Sequence, residues 1–562
     1  MTRITVGELV ASGRVALAAG DFEVARRALT AAVETGEAPA AHVMLGGVAY
    51  ADDDFAEART QWEIAFRQFR AAGELRAAAR VAAELALVHA SAFGNQAVGA
   101  GWLGRGRRLL DRVGRCVEQG YLALAYLAVH CPDMAAVERD AAFALELAVE
   151  FGDSDLEARA LAESGFALVA QGRTREGFSL LDEAMAAITA GEVTDWSIVG
   201  KIFCAMLAAC GRVGEVRRAQ EWSAVVAEML DRHRGRPRVL QAHCRVAYGA
   251  LLCRVGRWQE AEATMLEALS PTASKGFHLR VDATAELANL RVLQGRLDEA
   301  ATLLRPYEDR LAACGPLARL HLARGEPHLA AAVIARALRE LVADRLREGP
   351  LLALLVEVEI IRGDIDAACH AAEHLAHVAA DVEGANLRAE AALAAGRVAA
   401  ARADHQAALA HLQEAQRLLA GEEPPLLSGL IRLELAQAMA GAVGKVAAIG
   451  EARAALSVFE RLGASPYADR TAAVLRSLGD TERRRALAPS AAVGSLSRRE
   501  SEVLDLLRQG LTNAQIAERL YISAKTAEHH VSRVLTKLGV RSRAEAVALA
   551  FTGSREPLPV PK

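Results

Sequence analysis

The sequence has few residues of the kinds that build β-sheets. Aromatic residues make up 4% of its 562 positions although 52% are hydrophobic, so alanine and other small apolar side chains must supply most of the packing. Proline is rare as well, with 15 residues against 44 glycines. This composition argues against an all-β sandwich or barrel and favours closely packed helices. With 24% charged residues among abundant apolar ones, the chain also differs from disordered proteins.

The sequence also has no pattern typical of a disulfide framework, an export signal or a membrane span. The eight cysteines form no CxxC pair, which is typical of reduced, buried thiols in a cytosol. The N-terminus lacks an apolar signal core, and the longest apolar run, 351–361, contains Glu357 and Glu359. We therefore expect a cytoplasmic protein without a membrane span. The cysteines are at positions 116, 131, 204, 210, 244, 253, 314 and 369.

Length and charge limit the architecture further. A single hydrophobic core rarely exceeds roughly 300 residues, so the chain is either multidomain or a repeat array. The formal net charge is −4 and the pI is near 6.5, which excludes a protein that binds polyanions over its whole surface. Any contact with nucleic acid must be local.

A recurring pattern fills the first 480 residues. It consists of a glycine, often a polar residue after it, and an alanine five residues after the glycine, followed by an apolar helical stripe. Separations of 33, 42, 42, 39, 30 and 38 residues between copies are typical of helical hairpins. Glycine can end one helix in a left-handed conformation, and alanine lets the next helix approach closely. The copies begin at Gly20, Asp53, Gly172, Gly214, Gly256, Gly295, Gly325 and Gly363.

The copy at Gly256 shows the helical face most clearly. Trp258, Ala261, Met265, Ala268 and Leu269 fall on one side of a helix. The pattern resembles the second helix of a tetratricopeptide repeat. Hairpins of this kind must stack before any of them is stable, so we expect an α-solenoid. Its concave groove would bind a protein or small-molecule ligand, or would serve only as a spacer or dimerisation surface. The glycine-rich stretch 94–120 predicts one or two interrupted repeats.

One pattern in the solenoid resembles an enzyme motif. His370, Glu373 and His374 fit the H-x-x-E-H arrangement of some zinc proteases, and His377 lies one turn further on. The motif lies inside a repeat helix, where histidine and glutamate are ordinary solvent-facing residues. Phosphate-binding loops and nucleophile motifs are missing from the sequence. We therefore predict no catalytic residue, no metal site and no cofactor.

A compact four-helix unit is predicted after a break at 483–495. Reciprocal capping boxes, in which a hydroxyl and a carboxylate or amide three residues later bind each other's backbone amides, mark three helix starts. Ser523 can cap the remaining helix, giving helices at 498–509, 513–520, 524–538 and 543–551. The second and third are joined by a three-residue turn, as in a helix-turn-helix motif. The capping pairs are Ser497 with Glu500, Thr512 with Gln515, and Ser542 with Glu545.

The third helix of this unit is amphipathic. Its core side is assigned at about 100° per residue to Ala527, Val531, Val534 and Leu538. The opposite side is polar and rich in hydrogen-bond donors. It carries Lys525, His529, Ser532 and Thr536, flanked by Glu528 and Arg533, while the other flank carries Thr526, His530 and Lys537.

These residues resemble the DNA-binding domain of LuxR-family transcription regulators of the NarL type. The resemblance covers about 55 residues and rests on Leu496-Ser-Arg-Arg-Glu500, Gly510-Leu-Thr-Asn513, Ser523-Ala-Lys-Thr526 and Lys537-Leu-Gly-Val-Arg-Ser-Arg543. With tetratricopeptide-like helices before it, the chain is similar to the large MalT-like members. Their ATPase module has no counterpart here, so ATP-driven switching is not implied.

The resemblance implies roles for individual residues. The base-reading positions are Glu528, His529 and Ser532. Residues matching or neighbouring phosphate-contacting positions are Lys525, Thr526, Arg533 and Lys537. Glu528 stands where family members often have lysine, which predicts a different operator preference, because a carboxylate accepts from cytosine N4. The segment 496–553 holds nine cationic and six acidic residues, so it is weakly basic and we expect it to bind as a homodimer on adjacent half-sites.

The sequence thus predicts an all-α protein: a tetratricopeptide-like α-solenoid (1–482), a linker (483–495), a small four-helix helix-turn-helix DNA-binding domain (496–553) and a tail (554–562). The predicted function is transcription regulation, with promoter DNA as partner and control through the solenoid. Contact with RNA polymerase is compatible with this function. Two alternatives stay open: a protein-interaction scaffold with a terminal docking domain, and a sigma-factor-like component.

Overall fold

A computed structural model describes residues 5–130, 133–232, 238–270, 276–419, 424–480, 498–508, 511–520 and 522–538. Within these ranges every regular element is helical, in agreement with the all-α prediction. The chain divides into two compact units, Met1–Val474 and Leu475–Lys562. The predicted linker and tail lie outside the described residues, so the domain bounds of the sequence analysis stay a prediction.

The helices are short and regularly spaced. The first fourteen are α1 (Val6–Ala18), α2 (Phe22–Thr35), α3 (Pro39–Ala51), α4 (Phe55–Ala71), α5 (Leu75–Ser91), α6 (Gln96–Leu110), α7 (Val117–His130), α8 (Met134–Phe151), α9 (Ser154–Ala170), α10 (Thr174–Ala190), α11 (Trp196–Val213), α12 (Val216–Arg232), α13 (Arg238–Arg254) and α14 (Trp258–Ala268). Then follow α15 (Phe277–Leu293), α16 (Leu297–Leu304), a 3-10 turn (Arg305–Tyr307), α17 (Leu311–Ala323), α18 (Pro327–Glu340), α19 (Arg345–Arg362), α20 (Ile365–Ala380), α21 (Asn386–Ala401), α22 (His405–Leu418), α23 (Pro425–Ala442), α24 (Lys445–Leu462) and α25 (Ser465–Ser477). The second unit contains α26 (Arg498–Arg508), α27 (Asn513–Arg519) and α28 (Ala524–Leu538).

In the first unit, the helices form hairpins that stack into a tetratricopeptide-like solenoid. Each odd-numbered helix packs on the even-numbered helix after it, and several odd-numbered helices also contact the next odd-numbered one, as α5 contacts α7 and α11 contacts α13. The odd-numbered helices therefore form one layer of the solenoid. The apolar cores run from one hairpin into the next, as the repeat pattern predicts.

The hairpin turns have the predicted backbone conformation. The seven glycines of the pattern have φ angles between 69° and 94°, and Asp53 adopts φ 65° in the same place. Ala403, with φ 59°, begins a further copy that the sequence analysis missed. The alanines five residues after the turn residue are fully buried against the preceding helix, which explains the small side chain. They are Ala25, Ala58, Ala219, Ala261, Ala300, Ala330 and Ala368.

The glycine-rich stretch 94–120 forms regular structure, so the prediction of interrupted repeats was wrong. Helix α6 spans Gln96–Leu110 and packs on α5 as other hairpins do. A Cβ on Gly106 would lie 2.7 Å from Leu122 Cδ2, and a Cβ on Gly99 would lie 3.0 Å from Ala86 O, so these two glycines lie where α6 packs closely on its neighbours. The space around Gly101 is open, and none of these three glycines breaks the helix.

The solenoid also makes contacts between hairpins that are distant in sequence. Trp196 Nε1 donates to Leu17 O at 3.0 Å, and the Glu383 amide donates to Gly172 O at 3.0 Å. In the layer of odd-numbered helices, α3 contacts α11 and α9 contacts α19. These pairs join hairpins that belong to different turns of the solenoid.

Two hairpin glycines take part in these contacts. A Cβ on Gly172 would lie 2.7 Å from Val382 Cγ2, and a Cβ on Gly256 would lie 2.8 Å from Leu462 Cδ2. By contrast, the space around Gly325 and Gly363 is open within the described part of the chain. At Gly172 the Val382 Cα would also lie 2.9 Å from a Cβ, so glycine is required there both by the turn and by a backbone atom from another turn of the solenoid, whereas at Gly256 the close neighbours are side chains.

One described helix, α11 (Trp196–Val213), is long and apolar enough to span a membrane by length and composition alone, and half of its residues are buried. Its apolar side chains pack in the core around α9, α10 and α13. Ile202, Met206 and Cys210 are fully buried there. Packing within the solenoid accounts for its composition.

The residues of the enzyme-like motif lie on the surface of α20, and the described cysteines are free thiols. His370, Glu373, His374 and His377 all lie on the exposed side of α20, and His374 Nε2 is 3.1 Å from Glu348 Oε1. Within the described ranges no three potential ligands come together as a metal site. Six cysteines carry free thiols, and Cys131 and Cys244 are not among the residues with described side chains.

Candidate nucleic-acid interface

Local hydrogen bonds define the helix starts in the second unit. Thr512 Oγ1 accepts from the Gln515 amide at 3.4 Å, and Gln515 Oε1 accepts from the Thr512 amide at 2.8 Å. This is the predicted capping box, and α27 begins at the next residue. Ser523 Oγ accepts from the Thr526 amide at 3.1 Å and so caps α28, as predicted. The predicted boxes at Ser497 and Ser542 include residues outside the described ones.

The turn between α27 and α28 is closed by a backbone hydrogen bond. The Ile522 amide donates to Ala517 O at 2.9 Å, a five-residue span that is typical of a helix C-terminus. Ile522 is half-buried against the core of this unit. The bond fixes the direction in which the chain leaves α27, and hence the angle at which α28 begins.

A small apolar core holds the three helices together. Val503 and Leu507 of α26 and Ile516 of α27 are buried in this core, and α28 packs on both helices. From α28 itself Ala527 and Val534 are fully buried and Val531 is 8% exposed. The predicted core face is thus confirmed for these three residues. The side chain of Leu538 is not among the described ones.

The opposite face of α28 is exposed over its described length. Glu528, His529 and Ser532, the predicted base-reading residues, are all exposed and lie on adjacent turns. Lys525 and Arg533, predicted to contact phosphates, are exposed on the same side. The structure therefore brings these five side chains together on one solvent-facing surface, which we call the α28 outer face. What they bind stays a prediction.

The remaining predicted residues have different surroundings. Thr526 is exposed, but its hydroxyl lies 2.7 Å from Ser523 Oγ, so it takes part in the helix cap. The side chain of Lys537 lies outside the described residues. His530 is half-buried, and its Nδ1 and Asn513 Oδ1 are buried without a hydrogen-bond partner in the described part of the chain. The helical pattern of the sequence places His530 on a polar flank of α28 and does not predict this burial.

Comparison with known proteins matches this unit with a family. Residues 494–550 match the model of "Bacterial regulatory proteins, luxR family". This segment is a LuxR-family helix-turn-helix domain. The match covers the α28 outer face and the capped turn before it, and it confirms the resemblance stated from the sequence.

Relatives of the LuxR-family domain include the oxygen regulatory protein NreC of Staphylococcus aureus. The chain is 47% identical to it over 56 residues, in strains JH9 and USA300 alike. The matched segment is 10% of this chain and 26% of NreC. The chain thus spans about a quarter of the length of these relatives, and the likeness is confined to the domain.

Solved structures also align with most of the chain, at low sequence identity. The Cut9–Hcn1 tetramer of APC/C aligns with a TM-score of 0.35 and 14% identity, covering 83% of this chain and 96% of that one. Yeast Tom70 gives a TM-score of 0.31 and 12% identity over 84% and 97%. The human IFIT1 dimer with m7Gppp-AAAA gives 0.33 and 15% over 74% and 94%.

Proposed function

We propose that this protein is a cytoplasmic transcription regulator that binds promoter DNA through its LuxR-family domain and is controlled through its solenoid. The observation that carries the proposal is the α28 outer face: a capped helix with exposed Lys525, Glu528, His529, Ser532 and Arg533, held by a buried opposite side. A helix of this kind fits the major groove of B-DNA. The likeness of the domain to NreC supports a role in regulation.

The charges on the α28 outer face suit two tasks, phosphate binding by the cationic residues and base recognition by the others. Lys525 and Arg533 are exposed cations that would bind phosphates, which contributes affinity without sequence preference. Glu528 would repel phosphates, and its carboxylate would accept a hydrogen bond from cytosine N4. His529 and Ser532 would donate to base edges beside it. A few phosphate contacts give modest affinity, so a homodimer on two half-sites is the binding unit we propose.

The test uses the full-length chain and a duplex selected from random DNA. For Lys525→Ala, binding to every sequence should weaken, and the slope of log K against log salt should decrease by about 0.9. For Glu528→Gln, the preference at one base pair should shrink by about 1–3 kcal/mol while the salt slope changes little. Lys445→Ala, at an exposed lysine of α24, is the matched control and should leave binding unchanged.

Two results would contradict the proposal. Failure of the folded chain to bind any duplex at low salt would favour the protein-interaction scaffold. Equal losses on all sequences for Lys525→Ala and Glu528→Gln would mean that α28 does not lie in the groove as proposed.

A further inference from the structure

A cavity of about 280 Å³ that is open to solvent lies between α3, α9 and α11 of the solenoid. Its wall is mainly apolar and includes Tyr50, Phe166, Ala205 and Ala208. A cavity of about 150 Å³ is known to admit benzene, so this one has room for a larger ring compound with a short side chain. A neighbouring space of about 20 Å³ shares Arg159 and Lys201 with it and is large enough only for a water molecule.

Arg159, Glu163 and Lys201 line the cavity, and Arg80 and Glu84 line the small neighbouring space. Arg159 Nε donates to Glu163 Oε1 at 2.9 Å, and Arg80 hydrogen-bonds to Glu84. Asp195 Oδ2 is 3.8 Å from Arg80. Glu163 and Glu84 are therefore each hydrogen-bonded to a guanidinium, whereas Asp195 and Arg80 form a longer ion pair.

Among the three cations, Lys201 forms an ion pair with Glu84 but, unlike Arg80 and Arg159, no hydrogen bond within the described part of the chain. Its Nζ is 3.8 Å from Glu84 Oε2, beyond hydrogen-bonding distance, and 5.8 Å from the centre of the Tyr50 ring. Its side chain is only 18% exposed, and no hydrogen-bond acceptor for Nζ is found among the described residues. The ammonium keeps some access to solvent, so its donors can bind an acceptor that enters the cavity.

The electrostatics agree with this picture. Burial lowers the pKa of Lys201. Burial alone would raise the pKa of Glu84, but the cations of Lys201 and Arg80 outweigh it and hold that pKa at about 2. Burial also raises the pKa of Cys204, which lines the cavity, to about 12. A protonated thiol is a poor nucleophile, so the cavity is suited to binding and not to covalent chemistry.

We propose that this cavity binds a small organic acid with an apolar body, whose carboxylate accepts hydrogen bonds from the Lys201 ammonium while the body lies against Tyr50 and Phe166. The site is built where α3 of one turn of the solenoid meets α11 of another. Occupancy therefore bears on a contact between turns. An effect of the bound acid on DNA binding is a further step, and this step rests on the proposed function above.

The test measures binding of three probes to the full-length chain by calorimetry: 3-phenylpropionate, 3-phenylpropan-1-ol and 3-phenylpropylamine. They share one apolar body and differ in the head group. We expect the acid to bind at least tenfold more tightly than the alcohol, a difference of about 1.4 kcal/mol, and the amine to bind weakest. Preference for the alcohol or amine, or no binding of the acid at about 1 mM, would overturn the proposal.

Two variants locate the site. Lys201→Met keeps the aliphatic stem and should reduce the affinity for the acid at least tenfold while leaving the alcohol within about twofold. Ala208→Phe fills the cavity and should abolish binding of both. Lys445→Met is the matched control and should bind like the natural chain. Unchanged binding of the acid by folded Lys201→Met and Ala208→Phe proteins would place it elsewhere and refute the site.

A separate DNA titration distinguishes the two proposals. If the acid binds and DNA affinity stays the same with and without it, the cavity assignment stands and control through this site is wrong. If the chain binds no DNA at all, the calorimetric result is unaffected.

Discussion

At the scale of single residues, the solenoid depends on buried charges that the repeat pattern does not reveal. Arg291 of α15 is 4% exposed, and its guanidinium lies 2.7 Å from Glu262 Oε2 and 3.2 Å from Glu299 Oε2. The hydrogen bond from Arg291 holds the pKa of Glu262 at about 2, against the effect of burial. One side chain thus joins α14 and α16 to the helix between them.

Arg291→Gln should lower stability at neutral pH by about 2 kcal/mol, because it removes charged hydrogen bonds from Glu262. A carboxylate whose pKa is lowered on folding stabilises above its unfolded pKa, near 4.5, and this contribution is lost as the pH falls towards 2. The difference between variant and natural chain should therefore shrink from pH 5 to pH 2. Thermal unfolding over this range measures it, with Arg27→Gln, at an exposed arginine, as the control. A difference independent of pH would contradict the assignment.

At the scale of elements, the sequence predicts much because the signals are local. Thr512 with Gln515 and Ser523 place the starts of α27 and α28 correctly, since a cap involves residues three positions apart. The positions of the hairpin turns are predicted from glycine, because glycine readily adopts the positive φ angle that these turns require. Glycines such as Gly106, which serve helix crossings, were mistaken for breakers, because one sequence does not tell a close approach from a turn.

The crossing of α9 and α10 provides a prediction for this class of glycine. A Cβ on Gly177 would lie 2.5 Å from Gly165 O, a backbone atom that cannot rotate away. Gly177→Ala should therefore force the helices apart and destabilise the solenoid by about 1–3 kcal/mol. Gly101→Ala, in α6 with open space around it, is the control and should stabilise by about 0.5–1 kcal/mol. Chemical denaturation compares the two, and the same sign for both would refute the crossing.

At the scale of the whole molecule, the sequence alone predicts a stack of hairpins and an exposed α28 outer face, but not the contacts between turns. The residues that line the cavity between α3, α9 and α11 come from positions 50 to 208, and no local pattern joins them. Likewise, Arg212 of α11 donates a hydrogen bond to Asp344 at 2.9 Å, although the two residues are 132 positions apart in the sequence. Such pairs depend on how many hairpins complete a turn, which repeat length alone does not determine.

Asp344→Asn tests this connection. Asp344 is buried, so the change would leave the Arg212 guanidinium, whose side chain is 13% exposed, without its counter-ion, and stability should fall by about 3 kcal/mol. Asparagine still caps α19, so the loss reports the ion pair. Thermal unfolding measures the loss. Arg212→Met in the same chain should recover much of it, whereas Asp298→Asn, at an exposed pair, should cost about 0.5 kcal/mol or less. No recovery in the double variant would argue against direct coupling.

The glycines at 172 and 256, each facing a residue of another turn, have a consequence for how such a chain can change its length. Arrays in which units touch only their neighbours can gain or lose a unit and remain in register. Here, deleting one hairpin between Gly172 and Val382 would bring a different side chain opposite that glycine. The packing between turns therefore depends on the number of hairpins in this interval. Duplication of a single hairpin would disturb this packing, so we expect that the protein does not vary in this way.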